Sequence, residues 1–383
     1  MRGGRRWRRE RLLGRVAALS RVFWLSLAAE TAFLPLAGCA SSRVSSLPTL
    51  YMAQVGDTAR LVTPHRTAPP DTNRSRAPRW SSADSSIATV DSAGLVRATG
   101  LGATTVTASV DERDTRYIVV SAPPVLVGAG DIASCSSSGD EATAALLDSI
   151  PGIVFTAGDN VYSRGSAAEF ANCYEPSWGR HKRRTLPAPG NHDYRTRGAR
   201  AYFDYFGPNA GEAGAGYYRY TLGGWDVFVL NSQIAAGPRS NQVEWLRAEL
   251  TATRRRCQVA IMHYPRFSSG PQGGSGRMRA IWQALYEGSA DVVIAGHDHI
   301  YERFAPQTPA GVPDSARGIR EFVVGTGGRN HYPIREKPAS NSEVRNDDTF
   351  GVLALTLHSA SYDWRFVAVA GARFSDAGSG VCH

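Results

Sequence analysis

The sequence predicts an α/β domain over residues 125–383, preceded by a small all-β sandwich over residues 49–121. Three observations carry this. From Val125 onward, apolar runs of strand length alternate with longer amphipathic stretches such as 241–255 and 277–287, the pattern of strands interleaved with helices. Between 49 and 121 the texture differs: short alternating runs rich in Thr, Val, Ala and Ser are separated by turn signals. Ala122-Pro123-Pro124 divides the two, because paired prolines end strand pairing and stiffen the chain.

A chain of 383 residues with 42% hydrophobic and 9% aromatic content can bury a full core, which excludes wholesale disorder and a collagen-like chain. The formal charge of +9, from 43 basic and 34 acidic residues, first suggests a polyanionic partner. Its distribution removes that reading. Residues 1–38 hold eight Arg against Glu10 and Glu30, so six of the nine net charges sit there, and no nucleic-acid partner is expected.

An Arg-rich start, an apolar stretch from Val22 to Ala37 and then small residues form the layout of an export signal over 1–38, too short for a comfortable membrane span. The stretch ends Leu36-Ala37-Gly38-Cys39, which resembles the lipobox of bacterial lipoproteins. That resemblance implies lipidation of Cys39, a membrane anchor and a place in the bacterial cell envelope, with residues 39–48 as a tether. Of five cysteines, Cys135, Cys173, Cys257 and Cys382 then remain, an even set that allows two disulfides in three connectivities.

Within the all-β part, Ile87-Ala88-Thr89-Val90, Leu95-Val96-Arg97-Ala98 and the run Thr104 to Val110 read as strands. Asp91-Ser92-Ala93-Gly94 and Gly100-Leu101-Gly102 read as turns between them, and 64–78 as a long loop. The stretch from Trp80 to Asp91, with Gly94-Leu95-Val96 and Gly100 to Val106, resembles the group 2 bacterial immunoglobulin-like domain. Such a module implies a spacer that holds the larger domain off the membrane, or a cell-surface contact.

Five apolar runs of the α/β domain each end in metal-competent side chains. They lead to Asp131, to Asp159-Asn160-Val161-Tyr162, to Asn191-His192-Asp193, to His263 and to His297-Asp298-His299. Ligands of open α/β sheets gather beyond the carboxyl ends of the strands, so these clusters are expected to converge. Glycine before the polar residue lets the backbone turn sharply and approach an ion. His297 and His299 are two apart, which in an extended chain puts both rings on one side. Imidazole, carboxylate, amide oxygen and phenol make a donor set for Zn, Fe or Mn, too many for one tetrahedral ion and enough for two.

Gly130-Asp131, Gly158-Asp159-Asn160-Val161-Tyr162, Gly190-Asn191-His192-Asp193, His263 and Gly296-His297-Asp298-His299-Ile300-Tyr301-Glu302-Arg303 resemble the calcineurin-like metallophosphoesterases. Ala133 stands where many of them carry a His, and Tyr162 follows Asp159 by three, as in the purple acid phosphatases. The resemblance implies a β-sandwich of two mixed sheets flanked by helices. It implies one metal on Asp131, Asp159, Tyr162 and His299, and another on Asp159, Asn191, His263 and His297, with Asp159 bridging. Fe(III) beside a divalent ion, Zn, Mn or Fe, is the implied pair. The implied reaction is hydrolysis of a small phosphate monoester by in-line attack of a metal-bound hydroxide. Asp159 and His192 would be catalytic, with His192 protonating the leaving oxygen or stabilising its charge.

Asp193 and Asp298 are expected to orient neighbouring histidines, and Arg329 and His331 to be substrate contacts. Gly325-Thr326-Gly327-Gly328 fits either a phosphate loop or a tight strand-to-loop turn, Arg180 to Arg184 a solvated charge run, and Arg254-Arg255-Arg256 the end of a helix. The alternatives to a monoesterase are a phosphodiesterase or nucleotide hydrolase of the same fold and, from another class, a non-catalytic surface adhesion lipoprotein.

Overall fold

In the computed structural model, residues 49–52, 57–62, 77–110 and 113–383 are described. The export-type segment 1–38, Cys39, the tether through residue 48 and most of the 64–78 loop lie outside them.

The all-β part is a sandwich of two sheets. One has the order Thr49–Met52, Arg113–Ser121, Gly102–Val110, Arg79–Ser82, and the other Thr58–Arg60, Leu95–Ala98, Ala88–Val90. Inward residues of both sheets, Met52, Ala88, Val96, Ala98, Val106 and Val119, form one small core with Trp80 packed against it. The expected turn at 91–94 is built by Asp91, whose Oδ1 accepts from the backbone N–H groups of Ala93 and Leu95.

The α/β part contains two larger sheets. In the first, Thr185–Ala188, Ile153–Ala157 and Val125–Ala129 run parallel, and Gly351–Leu357, Ser361–Ala368 and Ala377–Val381 continue it as an antiparallel meander. The second has the order Tyr218–Leu222, Trp225–Val229, Cys257–Ile261, Val292–Ala295, Arg320–Val324, Tyr301–Phe304, Ser342–Asn346, with its second to fifth strands parallel. Phe155, Leu353 and Leu355 of one sheet join Val227, Val259, Ile261, Ile294 and Phe322 of the other in a single core. On the opposite face of the second sheet, Phe228, Ala260, Met262 and Val293 meet Val243, Leu246, Ile281, Trp282 and Leu285. Those partners belong to the helices Asn241–Ala252 and Arg279–Glu287. Alternate residues thus serve opposite faces, and strands buried on both read as continuous apolar runs.

The amphipathic pattern is shorter at its end than expected. The helix stops at Ala252 with Thr253 as its C-cap, so the three arginines lie beyond it. Arg255 reaches the buried Asp226 and the carbonyl of Gly223, and Arg256 donates to the carbonyl of Cys382. The basic run 180–184 is likewise employed in packing. Arg184 donates to the carbonyls of Leu147, Ile150 and Gly152, closing the C-terminal end of the helix Gly139–Ser149, and Arg180 pairs with Asp148. Among the described residues no helix is long and apolar enough to cross a membrane.

Of the three possible connectivities, the structure takes Cys135–Cys173 and Cys257–Cys382. The second closes a loop of 125 residues, tying the start of a central strand to the C-terminal segment. Cross-links over long loops remove the most freedom from the unfolded chain. Replacing Cys257 and Cys382 together by Ser is expected to lower stability by about 3–5 kcal/mol, read as a shift of the urea unfolding midpoint of the whole chain; an unchanged midpoint would show that the link contributes nothing.

Candidate metal centre

Two buried carboxylates lie at the carboxyl edge of the first sheet, and each is used in two directions. Asp131 follows Val125–Ala129, and its Oδ2 accepts the backbone N–H of His297 at 2.7 Å. Asp159 follows Ile153–Ala157, and its Oδ1 accepts the backbone N–H of His192 at 2.7 Å. One oxygen of each is therefore anchored, and the other faces a common centre. Tyr162 Oη donates to Asp131 Oδ1 at 2.6 Å, lies 3.0 Å from Asp159 Oδ2 and is 3.1 Å from His299 Nε2. His299 Nε2 is 3.2 Å from Asp131 Oδ1, and His263 Nε2 is 3.4 Å from Asp159 Oδ2 and 3.0 Å from Asn191 Oδ1. The His297 ring lies 5.1 Å from that of His263.

All seven side chains picked out as metal-competent thus meet in one place. Ligand atoms of Asp131, Asp159 and His263 lie within 4.8 Å of one another. Local backbone explains how they get there. Asp131, Asp159 and His297 have φ of 60°, 51° and 73°, so the chain turns into the left-handed region as it leaves each strand. A Cβ at Gly190 would fall 2.2 Å from Asp159 N and Oδ1, and one at Gly158 2.6 Å from the His263 ring. Only glycine allows these approaches.

The His297-Asp298-His299 segment differs from the extended chain expected of it. It is a bend, with Asp298 N–H donating to the Gly296 carbonyl at 2.9 Å and Ile300 N–H to that of Asp298 at 2.7 Å. Tight turns, rather than strand alternation, bring both rings to the centre.

Electrostatics follow from burying two carboxylates together. Burial raises the Asp131 carboxyl, but His299 and His263 outweigh it and hold it below the usual range. Burial likewise raises the Asp159 carboxyl, but His263 and then His192 outweigh it and hold it far below that range. Burial pushes His263 down, yet Asp159 and Asp131 raise it to about 9, so the carboxylates call for a positive charge at this spot. His297 is pushed down to about 4, by burial and then by His263, which keeps its ring neutral and able to ligate. Burial, then Asp131 and Asp159, push the Tyr162 phenol well up. Nearby cations would favour the phenolate instead.

The remaining nitrogen of each key imidazole is held from outside. His263 Nδ1 faces the Ala157 carbonyl at 2.8 Å, and His299 Nδ1 faces Asn330 Oδ1 at 3.1 Å, so both present Nε2 inward. His192 Nδ1 faces the Ser163 carbonyl at 2.7 Å; its ring lies 4.3 Å from that of Tyr162, with Nε2 3.9 Å from Asp159 Oδ2. Burial lowers its pKa despite Asp159. Carboxylates, imidazoles with fixed tautomers, an amide oxygen and a phenol, all convergent, fit a pair of hard to borderline cations.

Two expectations are corrected. Among the described residues Asp193 bonds no histidine: it accepts from Asn160 Nδ2 at 3.0 Å and Gly190 N at 2.8 Å, holding together the two loops that carry Asp159 and Asn191. Asp298 accepts from Ser268 Oγ, Gln272 N and Gly273 N, and so fixes the loop after His263. Both carboxylates answer unpaired donors of nearby loops. His331 has its ring 4.1 Å from that of Phe350, and burial lowers its pKa.

The 325–328 segment is a strand-to-loop turn. Gly327 N–H donates to the Gly130 carbonyl and Gly130 N–H to that of Val324, joining the two sheets beside Asp131. Sequence reasoning missed three neighbours: Asn330, which holds His299; Tyr332, stacked on the His299 ring at 4.0 Å; and Tyr264, 4.5 Å from the His297 ring. Tyr264 adjoins His263 in sequence, which was a usable signal. Asn330 and Tyr332 lie some thirty residues beyond the histidine they serve, with no local pattern to mark them.

Residues 126–301 match the calcineurin-like phosphoesterase family, and residues 48–120 the bacterial Ig-like domain (group 2). The chain therefore carries a calcineurin-like phosphoesterase domain behind a bacterial Ig-like domain. It is similar to purple acid phosphatase 21 of Arabidopsis thaliana, with 32% identity over 143 residues, 35% of this chain and 32% of that protein. Purple acid phosphatase 23 of the same plant is 26% identical over 196 residues, 41% of this chain and 43% of that protein. The matched segments thus span less than half of either relative's length. In fold it is similar to purple acid phosphatase PPD1 from yellow lupin (Lupinus luteus) seeds, with a TM-score of 0.56 at 15% identity, covering 79% of this chain and 66% of that one.

Gly190→Ala is expected to push Asp159 off the common centre, because the new Cβ overlaps its N and Oδ1. Bound metal per chain should fall measurably by elemental analysis, and ester hydrolysis should drop about 100-fold, the scale set by ångström-size misplacement. A variant with full metal content and activity would refute this account of the Gly190 turn.

Proposed function

We propose that this chain is a metal-dependent phosphatase that hydrolyses small phosphate monoesters outside the cytoplasm, anchored by lipid at Cys39. The observation that carries the reading is the Tyr162 hydroxyl, within 3.1 Å of Asp131, Asp159 and His299 together. A phenol among these donors is what the purple acid type of centre requires. Asp131, Asp159, Tyr162 and His299 would hold one ion, and Asp159, Asn191, His263 and His297 the other. A phenolate donor favours a trivalent ion, Fe(III), beside Zn, Mn or Fe(II). Bound there, two cations lower the pKa of water and neutralise phosphoryl oxygens.

The chain's own residues supply the rest. Asp159 Oδ2 faces both halves of the donor set, which is the position a bridging carboxylate needs, while its Oδ1 stays pinned by His192 N. His192 keeps Nδ1 on the Ser163 carbonyl, so Nε2 is the atom left to handle a proton at the rim of the centre. There it gives that proton to the departing ester oxygen. The Ig-like domain fits the role of spacer between anchor and catalytic domain.

The purified chain lacking residues 1–38, supplied with Fe, Zn or Mn, is expected to hydrolyse p-nitrophenyl phosphate in preference to bis-p-nitrophenyl phosphate. Preference for the diester would turn the reading to a phosphodiesterase, and no activity and no bound metal under any supply would leave the adhesion reading. His192→Ala should lower kcat by about 10²- to 10⁴-fold with metal content retained. The anchor has a separate check: Cys39→Ser should release the protein from bacterial membranes or leave it unprocessed, and unchanged attachment would rule out the lipid.

A further inference from the structure

Among the described residues, the loop after the Arg320–Val324 strand is pinned to the metal centre at three successive places. Arg329 N–H donates to the Asp131 carbonyl at 3.1 Å, Asn330 Oδ1 holds His299 Nδ1 at 3.1 Å, and Tyr332 N–H donates to the His299 carbonyl at 3.2 Å while its ring stacks on that histidine. This leaves little freedom in where the Arg329 side chain starts. Its guanidinium lies 5.3 Å from the centroid of the Tyr162 ring, whose hydroxyl stands between the two carboxylates.

Several other arginines of the domain are spent on structure. Arg303 pairs with Asp376, Arg320 with Glu343 and Arg180 with Asp148. Arg195, a cation near His192, gives its Nη1 to the Ser163 carbonyl at 3.0 Å. The Arg329 guanidinium has a ring contact and no carboxylate partner among the described residues. A half-buried cation held against an aromatic face beside an anion-handling centre, with its fork of donors uncommitted, is placed to receive an anionic ligand.

We infer that Arg329 grips the phosphoryl group and selects monoesters over diesters, an inference that rests on the phosphoesterase reading above. A monoester dianion presents three non-bridging oxygens sharing two charges; a diester presents two sharing one. Cations held by the Asp131, Asp159, Tyr162, Asn191, His263, His297 and His299 donors would take phosphoryl oxygens of either substrate, so the extra charged oxygen of the monoester is what a guanidinium fork can add to recognition. The cation–π contact with Tyr162 keeps the fork in place without neutralising it, as a carboxylate would.

The test uses the metal-loaded chain lacking residues 1–38 and two variants, Arg329→Gln and Arg329→Lys. Arg329→Gln should lower the ratio of kcat/KM for p-nitrophenyl phosphate to that for bis-p-nitrophenyl phosphate by about 10- to 100-fold, and should weaken binding of inorganic phosphate, measured by calorimetry, by a similar factor. Arg329→Lys, which keeps the charge and loses the fork, should fall between. An unchanged ratio and phosphate affinity in an Arg329→Gln variant of normal metal content would overturn the inference. Equal loss on both esters accompanied by loss of metal would also overturn it, because Arg329 would then merely support Tyr162. Wild-type protein inactive on both esters would instead bring down the phosphoesterase reading, while the phosphate affinities, read without turnover, still decide whether Arg329 binds phosphate.

Discussion

The centre of this protein depends on two carboxylates that are buried side by side and each divided between two tasks. Asp131 and Asp159 give one oxygen to a backbone N–H and turn the other to the same point. Bringing two anions out of water into contact is costly unless positive charge or hydrogen bonds compensate. The histidines around them are arranged as that compensation, most visibly His263, whose proton affinity the pair raises. A cation pair answers the same demand, and the inward donors are oriented for one by bonds made on their far sides.

Holding such an arrangement falls to backbone rather than to side-chain packing. Residues 130, 327 and 324 exchange hydrogen bonds between the two sheets, and residues 131 and 132 bond to the carbonyls of 158 and 159. His263 donates across from one sheet to the Ala157 carbonyl at the edge of the other. The sandwich core brings the carboxyl edges together, and the loops are then sewn edge to edge. Positive φ at Asp131, Asp159 and His297 is the local cost of turning at the required points, and the surrounding bonds overdetermine it.

Much of this was legible in the chain because apolar runs that end in Gly and a polar residue mark both the strand and its functional end. The strands leading to Asp131, Asp159, Asn191, His263 and His297 were readable one by one for that reason. Less legible were the jobs of residues whose partners are remote. Asp193 and Asp298 adjoin histidines in sequence but bond to loop amides, because the carboxylate goes to the donor that folding leaves unpaired. His331 and Arg329 are two residues apart on one loop, yet one ring is enclosed against Phe350 and the other side chain lies over Tyr162. Local pattern does not record which way such a loop is pinned.

What the sequence determined by itself is the chemistry: strand patterning of period 2, the Ig-like and phosphoesterase textures on either side of Ala122-Pro123-Pro124, and the kinds of donor that end each strand. These are local properties, set by side-chain type and spacing. Tertiary structure alone decided which cysteines pair, which oxygen of each carboxylate is free, which imidazole nitrogen faces inward, and that Asn330 and Tyr332 belong to the centre at all. Each of those depends on contacts between segments far apart in the chain, and such contacts exist only once two sheets have closed on a common core.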